Sequence, residues 1–272
     1  MPRAAGGRGR QPPVLKKFGQ HFLTDPIILS AIVDALAPAE TDAVLEIGPG
    51  RGALTDILAE RAGKVVAVEI DRALAASLRE RYASASNVEI VEADFLESDA
   101  RVLAGDNFLL IGNVPYNITT PIVFKAIELP MPRRSVFLVQ REVAQRMAAV
   151  ADDEDYGALS VNIAVVANVE EMLRVPSGAF KPRPKVESAV VRLTPRAQPL
   201  VPPDSLAGFR SFVQAAFGQR RKQMVRVLRS VRGLSPDKSL AVLESAGIEP
   251  SARPEVVSPE RFARLFELLT AN

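Results

Sequence analysis

Asn113-Val114-Pro115-Tyr116 is the segment of this chain whose residue types and order best suit a chemical step. An amine conjugated to an aromatic ring, such as the N6 amine of adenine, is a poor nucleophile because its lone pair is delocalised. Accepting its N–H hydrogens favours a pyramidal nitrogen with a localised lone pair. Asn113 offers a side-chain oxygen and Val114 a backbone carbonyl, held in place because Pro115 fixes the following φ and restricts the residue before it. Tyr116 offers a face on which a base can stack, worth roughly 1–3 kcal/mol. Taken alone, Asn-x-Pro-Tyr is also the pattern of a proline-directed turn, so its meaning depends on what precedes it.

What precedes it is a ligand-binding pattern. Leu45-Glu46-Ile47-Gly48-Pro49-Gly50-Arg51-Gly52 reads as a strand running into a glycine-rich turn before a helix. A side chain there would collide with a ligand lying across the strand ends. Glu69 ends the next strand, 21 positions after Gly48, where an acid can accept hydrogen bonds from both hydroxyls of a ribose. Gly48, Gly50 and Ala53 also satisfy the dinucleotide pattern G-x-G-x-x-G/A, so a nicotinamide enzyme competes at this point. The third glycine, Gly52, resembles the first motif of Rossmann-like methyltransferases. Ala93-Asp94-Phe95 follows the third strand, where that family places an acid on the adenine amine of S-adenosylmethionine. A dehydrogenase usually needs an acid/base, commonly His, near the substrate carbonyl. The single histidine, His21, lies upstream of the whole predicted sheet. The balance favours S-adenosylmethionine.

The elements that must position these residues alternate. Asp25-Pro26 reads as an N-cap followed by proline at the first helical position, and Ile28, Leu29, Ile32, Val33 and Leu36 follow at helical spacing. Strands are predicted over Ala43–Ile47, Lys64–Ile70, Val88–Val91, Phe108–Gly112 and Ser135–Val139. Helices are predicted over Ala53–Arg61, Arg72–Tyr82 and Pro121–Ile127. This order implies an α/β fold with a doubly wound, mostly parallel sheet whose ligands bind beyond the strand carboxyl ends. Val186–Leu193 reads as another strand. Pro195–Asp204, with four prolines, reads as a boundary. Beyond it the texture is helical, with starts at Ser235-Pro236 and Ser258-Pro259 and an apolar stripe of Phe262, Leu265, Phe266 and Leu269. The expected organisation is a basic arm over 1–15, a cofactor-binding catalytic domain over 16–196 and a small all-α domain over 205–272.

Composition narrows the function classes. With no cysteine and one histidine, a thiolate nucleophile, a disulfide, a Cys-based metal site and a multi-histidine metal centre are excluded, and no metal is expected. No apolar run approaches the roughly 18 residues of a membrane span. The N-terminal stretch has no apolar signal-like core, so a cytoplasmic protein without a membrane partner is expected, and a monomer is the default. Charge is segregated although the net value is only +2. Residues 38–108 carry fourteen acids against seven basic residues, 1–17 carry five basic residues and no acid, and 209–238 carry eight basic residues against one acid. Basic flanks around an acidic centre suggest a polyanionic partner, while solvated surface charge is the plainer alternative. Within Gln219–Arg232, Lys222, Arg226 and Arg229 fall on one predicted helical face opposite Met224, Leu228 and Val231. That face is a candidate for phosphate contact.

From Lys16 nearly to the C-terminus the chain resembles the small-subunit (16S) rRNA adenine N6,N6-dimethyltransferases. The resemblance rests on Lys17–Leu23, Gly48-Pro49-Gly50, Glu69, Asp94, Asn113–Asn117, Gln140-Arg141-Glu142-Val143-Ala144 and Phe180–Val186. It implies a class I methyltransferase fold with S-adenosylmethionine as cofactor. His21 and Leu23 would line the cofactor pocket, although many relatives carry Asn at the first of these. Gly48 would approach the methionine part, Glu69 the ribose and Asp94 the cofactor adenine, with Gly50 also at the cofactor. Asn113, Val114, Pro115 and Tyr116 would form the catalytic segment, with Asn113 also at the cofactor. Phe180 would pack against the target base, with a core aromatic as the alternative. The implied substrate is two adjacent adenosines in a hairpin loop near the 3′ end of 16S rRNA, in a pre-30S particle late in small-subunit assembly. Loop bases are splayed out at low unstacking cost. A 23S rRNA adenine methyltransferase of the macrolide-resistance type shares these motifs, as does a non-catalytic RNA-binding or transcription factor on the same fold. Gln219–Gln223 and Gly247–Glu255 look more like the small-subunit enzymes, and the intact Asn113–Tyr116 segment argues for catalysis.

Overall fold

The computed structural model describes residues 21–128 and 130–271. The expected basic arm lies outside them. In chain order the elements begin with β1 (Phe22–Leu23), α1 (Pro26–Leu36), β2 (Ala43–Ile47), α2 (Ala53–Arg61), β3 (Lys64–Glu69), α3 (Arg72–Arg81), β4 (Val88–Glu92), α4 (Ala100–Ala104), β5 (Phe108–Asn113) and α5 (Thr119–Ala126). They continue with β6 (Arg134–Gln140), α6 (Arg141–Ala148), α7 (Ala158–Ala164), β7 (Ala167–Val175), β8 (Phe180–Lys181), β9 (Ser188–Pro195), α8 (Leu206–Phe217), α9 (Met224–Arg232), α10 (Pro236–Ser245) and α11 (Pro259–Thr270).

Seven strands form one sheet in the order β4-β3-β2-β5-β6-β9-β7. The pairs β2–β3, β3–β4, β2–β5 and β5–β6 are parallel, and β9 runs antiparallel to β6. The sheet is therefore the doubly wound, mostly parallel one expected, and its strand order turns between β2 and β5. Central strands read as largely apolar runs because both faces are covered: Val44, Leu45, Leu109, Leu110, Ile111, Val136, Phe137 and Leu138 have no exposed surface.

Local chemistry sets the helix starts. The Asp25 carboxylate accepts the N–H groups of Ile27 and Ile28 ahead of α1, which turns Leu29, Ile32, Val33 and Leu36 into the core. Asp71 caps α3 in the same way through Ala73 and Leu74. Ser235 and Ser258 cap α10 and α11, each with proline at the first helical position.

The chain falls into two compact units. One runs up to Arg141 and resumes over Glu171–Leu193; the other takes Glu142–Glu170 and everything from Thr194. The second unit thus draws in the α6–α7 stretch as well as the C-terminal helices. Its core is aromatic: Phe209 meets Phe266 edge-on at 5.6 Å, Tyr156 meets Phe217 at 5.9 Å, and the Tyr156 hydroxyl donates to the Val257 carbonyl at 2.8 Å. Those two Tyr156 contacts, to residues after 194, explain why the α6–α7 stretch belongs there.

Candidate functional site

The carboxyl ends of β2 to β5 open onto a cavity of about 590 Å³ within the first unit. It sits where the strand order turns, the position at which open α/β sheets bind ligands. His21, Leu23, Gly48, Gly50, Glu69, Asp94 and all of Asn113–Tyr116 line it. These ten residues, spread over nearly a hundred positions of sequence, are brought together as expected.

Gly48 has φ +62°, and a methyl added there would meet nothing within 4 Å. The position needs glycine for its backbone and leaves space open over the strand end. Glu69 ends β3 and is 4% exposed. Its Oε2 accepts the Gly50 N–H at 3.0 Å and its Oε1 accepts the Asp71 N–H at 2.9 Å. Burial pushes its carboxyl pKa up, against those backbone bonds. Each oxygen keeps acceptor capacity, which suits a pair of vicinal hydroxyls. Asp94 follows β4 and takes the Leu96 N–H on Oδ1 at 2.8 Å.

Three lining residues escape the sequence reading. Ile70, 51% exposed directly after Glu69, and Phe95, directly after Asp94, add apolar surface beside each acid. An apolar residue immediately following each strand-end acid was the available signal. Acids flanked by apolar surface fit an adenosine: hydroxyls and an amine to donate, a flat ring to cover. The third is Glu46, one position before the end of β2 and 1% exposed. Thr55 donates to its Oε2 at 2.7 Å. Burial pushes its pKa up to about 8; the Thr55 bond opposes this, and the nearby Glu69 adds to it. Burial therefore favours the protonated, neutral form of Glu46.

Asn113 is the last residue of β5, and its Nδ2 donates to the backbone carbonyl of His21 at 3.0 Å. Since only the amide nitrogen can donate to a carbonyl, this bond fixes which prong is which and leaves Oδ1 as the acceptor. Val114 is 1% exposed and anchored by its N–H to the Leu138 carbonyl at 3.2 Å. The Pro115 carbonyl accepts the Ile118 N–H and the Thr119 hydroxyl, closing the turn into α5. The Tyr116 hydroxyl lies 2.6 Å from Ser188 Oγ, and burial pushes the phenol pKa up against that bond. His21, upstream of the sheet in sequence, stacks on the Tyr116 ring at 5.7 Å between centroids.

Phe180 stands apart from this group. It is 2% exposed, is paired with Leu23 in the β1–β8 ladder, and belongs to the packed core, outside the cavity lining. Two residues of ladder hold it there, a pairing across some 157 positions that no local pattern announces.

In the second unit, Arg226 and Arg229 are exposed on α9 while Met224, Val227 and Leu228 are buried. Lys222 is exposed too, but it precedes the helix, in a turn closed by its N–H to the Gln219 carbonyl. The predicted helical face therefore holds for the two arginines, with Lys222 just ahead of the first turn.

The model of the ribosomal RNA adenine dimethylase family matches residues 14–271. The ribosomal RNA small subunit methyltransferase A of Bordetella avium is 43% identical over 94% of this chain and 95% of its own. That of Bacillus mycoides is 40% identical over 93% and 90%. Among solved structures, the 23S rRNA methyltransferase ErmE superposes with a TM-score of 0.71 at 35% identity, covering 91% of this chain and 99% of its own. A dimethyladenosine transferase from Plasmodium falciparum gives 0.76 at 26% identity, covering 90% and 96%.

Proposed function

The chain belongs to the ribosomal RNA adenine dimethylase family, and from that premise we propose that it dimethylates the N6 amines of two adjacent adenosines in a loop near the 3′ end of 16S rRNA. It is an S-adenosylmethionine-dependent rRNA methyltransferase with the class I fold. The observation that carries the reading is the orientation of Asn113: with Nδ2 committed to the His21 carbonyl, Oδ1 remains to accept from an amine.

Bound S-adenosylmethionine supplies a methyl group on an already activated sulfonium. The rest falls to the protein. Gly48 would leave room for the methionine part, Glu69 would take the ribose hydroxyls and Asp94 would accept from the cofactor's adenine amine, with Ile70 and Phe95 adding apolar surface. Gly50, where a methyl would press on the Phe22 ring, would shape the same loop. Leu23, and His21 through its backbone, close the pocket from the N-terminal side. The target adenine stacks on Tyr116, and Asn113 Oδ1 and the Val114 carbonyl accept its two N6 hydrogens. Those bonds localise the nitrogen lone pair and aim it at the cofactor, so that placement supplies most of the rate. The N6 proton leaves once the nitrogen carries the new methyl and a positive charge, when it is strongly acidic. Lys222, Arg226 and Arg229 contact phosphates of the RNA, with 205–272 as the RNA-binding helical domain. The enzyme acts as a cytoplasmic monomer on a pre-30S particle; among the described residues no helix is long and apolar enough to cross a membrane.

The likeness to ErmE keeps one other reading in play, adenine methylation of 23S rRNA. The higher identity to the small-subunit enzymes favours 16S. Mass spectrometry of rRNA after in vitro methylation of naked 16S, naked 23S and assembled undermethylated subunits decides between them. Dimethyladenosine in 16S is the expected result; modification confined to 23S overturns the assignment.

A further inference from the structure

The cavity wall at Asp94 is held by a residue that does not line it. Phe95 and Leu96 face the cavity. Phe95 also borders a second cavity of about 280 Å³, and Lys125, outside the first lining, borders this one. Lys125 Nζ donates to the Leu96 carbonyl at 2.7 Å and lies 5.7 Å from the centre of the Phe95 ring, which is 5% exposed. Leu96 is therefore gripped at both ends of its backbone, because its N–H is the one that Asp94 Oδ1 accepts at 2.8 Å. The Ser98 hydroxyl, donating to the Asp94 carbonyl at 2.7 Å, closes the same turn. Lys125 stands in the last turn of α5, whose first residue, Thr119, donates its hydroxyl to the Pro115 carbonyl. One helix of eight residues thus begins on the turn that carries Asn113–Tyr116 and ends on the loop that carries Asp94.

Resting on the reading that Asp94 accepts from the cofactor's adenine amine, we propose that Lys125 is a positioning residue for that recognition, acting on Asp94 through the backbone of Leu96. A carboxylate turns freely about its own bond, so an acceptor meant for one amine has to be stopped from turning. The Leu96 N–H does this by occupying Oδ1, which leaves Oδ2 for the amine. That N–H keeps its direction only while the Leu96 backbone is fixed. The bond from Lys125 fixes it, and a charged donor on a carbonyl is stronger than a neutral pair. The Lys125 cation over the Phe95 ring is a second, weaker attachment to the same two-residue stretch. Lys125 itself touches neither cofactor nor base; it sets the aim of the group that selects adenine.

The test is a pair of calorimetric titrations on the full-length chain, with S-adenosylhomocysteine and with its analogue carrying hydrogen in place of the 6-amine. Wild type, Lys125→Met and Lys125→Arg are compared. Methionine keeps an apolar stem against Phe95 and loses the donor, whereas arginine keeps a charged donor. Wild type is expected to prefer the amine-bearing ligand by about tenfold or more, the scale of one hydrogen bond to a charged group. Lys125→Met should lower that preference about fivefold, with the amine-free ligand bound within about twofold of wild type. Lys125→Arg should recover most of the preference. Both ligands meet the same protein, so a partial loss of folding moves both constants together and leaves their ratio. An equal weakening of both ligands in Lys125→Met overturns the proposal and reduces Lys125 to packing under the loop. Unchanged constants for both overturn it too, since Asp94 then holds its aim unaided. If wild type binds the two ligands alike, the placing of adenine at Asp94 fails, and the proposal falls with it.

Discussion

The Asn113 side-chain amide donates to the backbone carbonyl of His21, joining residues 92 positions apart. That bond gives the amide one orientation, and the orientation makes Oδ1 an acceptor at the end of β5. Asn113→Ala removes the acceptor and leaves the glycine loop, Glu69 and Asp94 untouched. Single-turnover methyl transfer should fall by about a hundredfold or more, comparable to deleting one preorganised polar group in other active sites. Cofactor affinity, read by titration calorimetry, should change by only a few-fold. Asn113→Asp should fare no better, because a carboxylate has no donor for the His21 carbonyl and is repelled by it. Turnover retained in either variant removes the lone-pair argument.

The glycines of the cofactor loop should fail in different ways. At Gly52, with φ +80°, a methyl would lie 2.7 Å from the Tyr82 hydroxyl and 3.0 Å from Leu78. That hydroxyl is itself held by Asp56 at 2.6 Å, so it has little freedom to retreat. Gly52→Ala should destabilise the fold by about 2–4 kcal/mol, from left-handed backbone strain plus overpacking. At Gly48 a methyl meets no protein atom, so only the backbone strain of about 1–2 kcal/mol applies. Its larger effect should be on S-adenosylmethionine, because the methyl takes space at the cavity. Denaturant melts and cofactor titrations of both variants check this; equal stability losses would contradict it.

Lys222, Arg226 and Arg229 are exposed, and among the described residues none of them is held in an ion pair. If they meet phosphates, each contact releases counterions. Replacing all three with alanine should make the slope of log K against log salt shallower by about 2–3. Methyl transfer at saturating particle concentration should be retained. A slope identical to wild type would assign them to plain solvation.

Much of this was legible in the sequence because the strands that carry the site are buried on both faces and read as apolar runs. Ala43–Ile47 is predicted with its observed limits, and Lys64–Glu69 differs by one residue at its end. Their order alone places Gly48, Glu69, Asp94 and Asn113 at the carboxyl ends of the strands. What the sequence hid depends on tertiary contacts. β7, with Glu170, Glu171 and Arg174 along a mostly exposed strand, lacks the apolar alternation of a half-buried one. α4 buries no residue and shows no periodicity. The β1–β8 ladder is two residues long, so neither the withdrawal of Phe180 into the core nor the placing of His21 on Tyr116 could be read locally.

Glu46 gives the sharpest test of the site's electrostatics. Its ordinary pKa of 4.5 is pushed up to about 8 in the folded chain, chiefly by burial. The folded protein then keeps a proton that the unfolded chain releases above about 4.5. Where the unfolded state binds fewer protons, stability falls as pH rises. The contribution from Glu46 is therefore fully present below pH 4.5 and lost progressively as pH climbs toward 8. At 1.36 kcal/mol per unit, the loss is on the order of several kcal/mol at most. Glu46→Gln cannot ionise, and its Oε1 still accepts from Thr55. Melting temperatures of the two proteins, measured from pH 5 to 8.5, should diverge, with the variant gaining on wild type throughout. Glu69 titrates in both, and because it interacts with Glu46 the difference reports Glu46 together with its coupling to Glu69. Parallel curves would mean that Glu46 is already ionised beneath the glycine loop and adds a negative charge to the cavity.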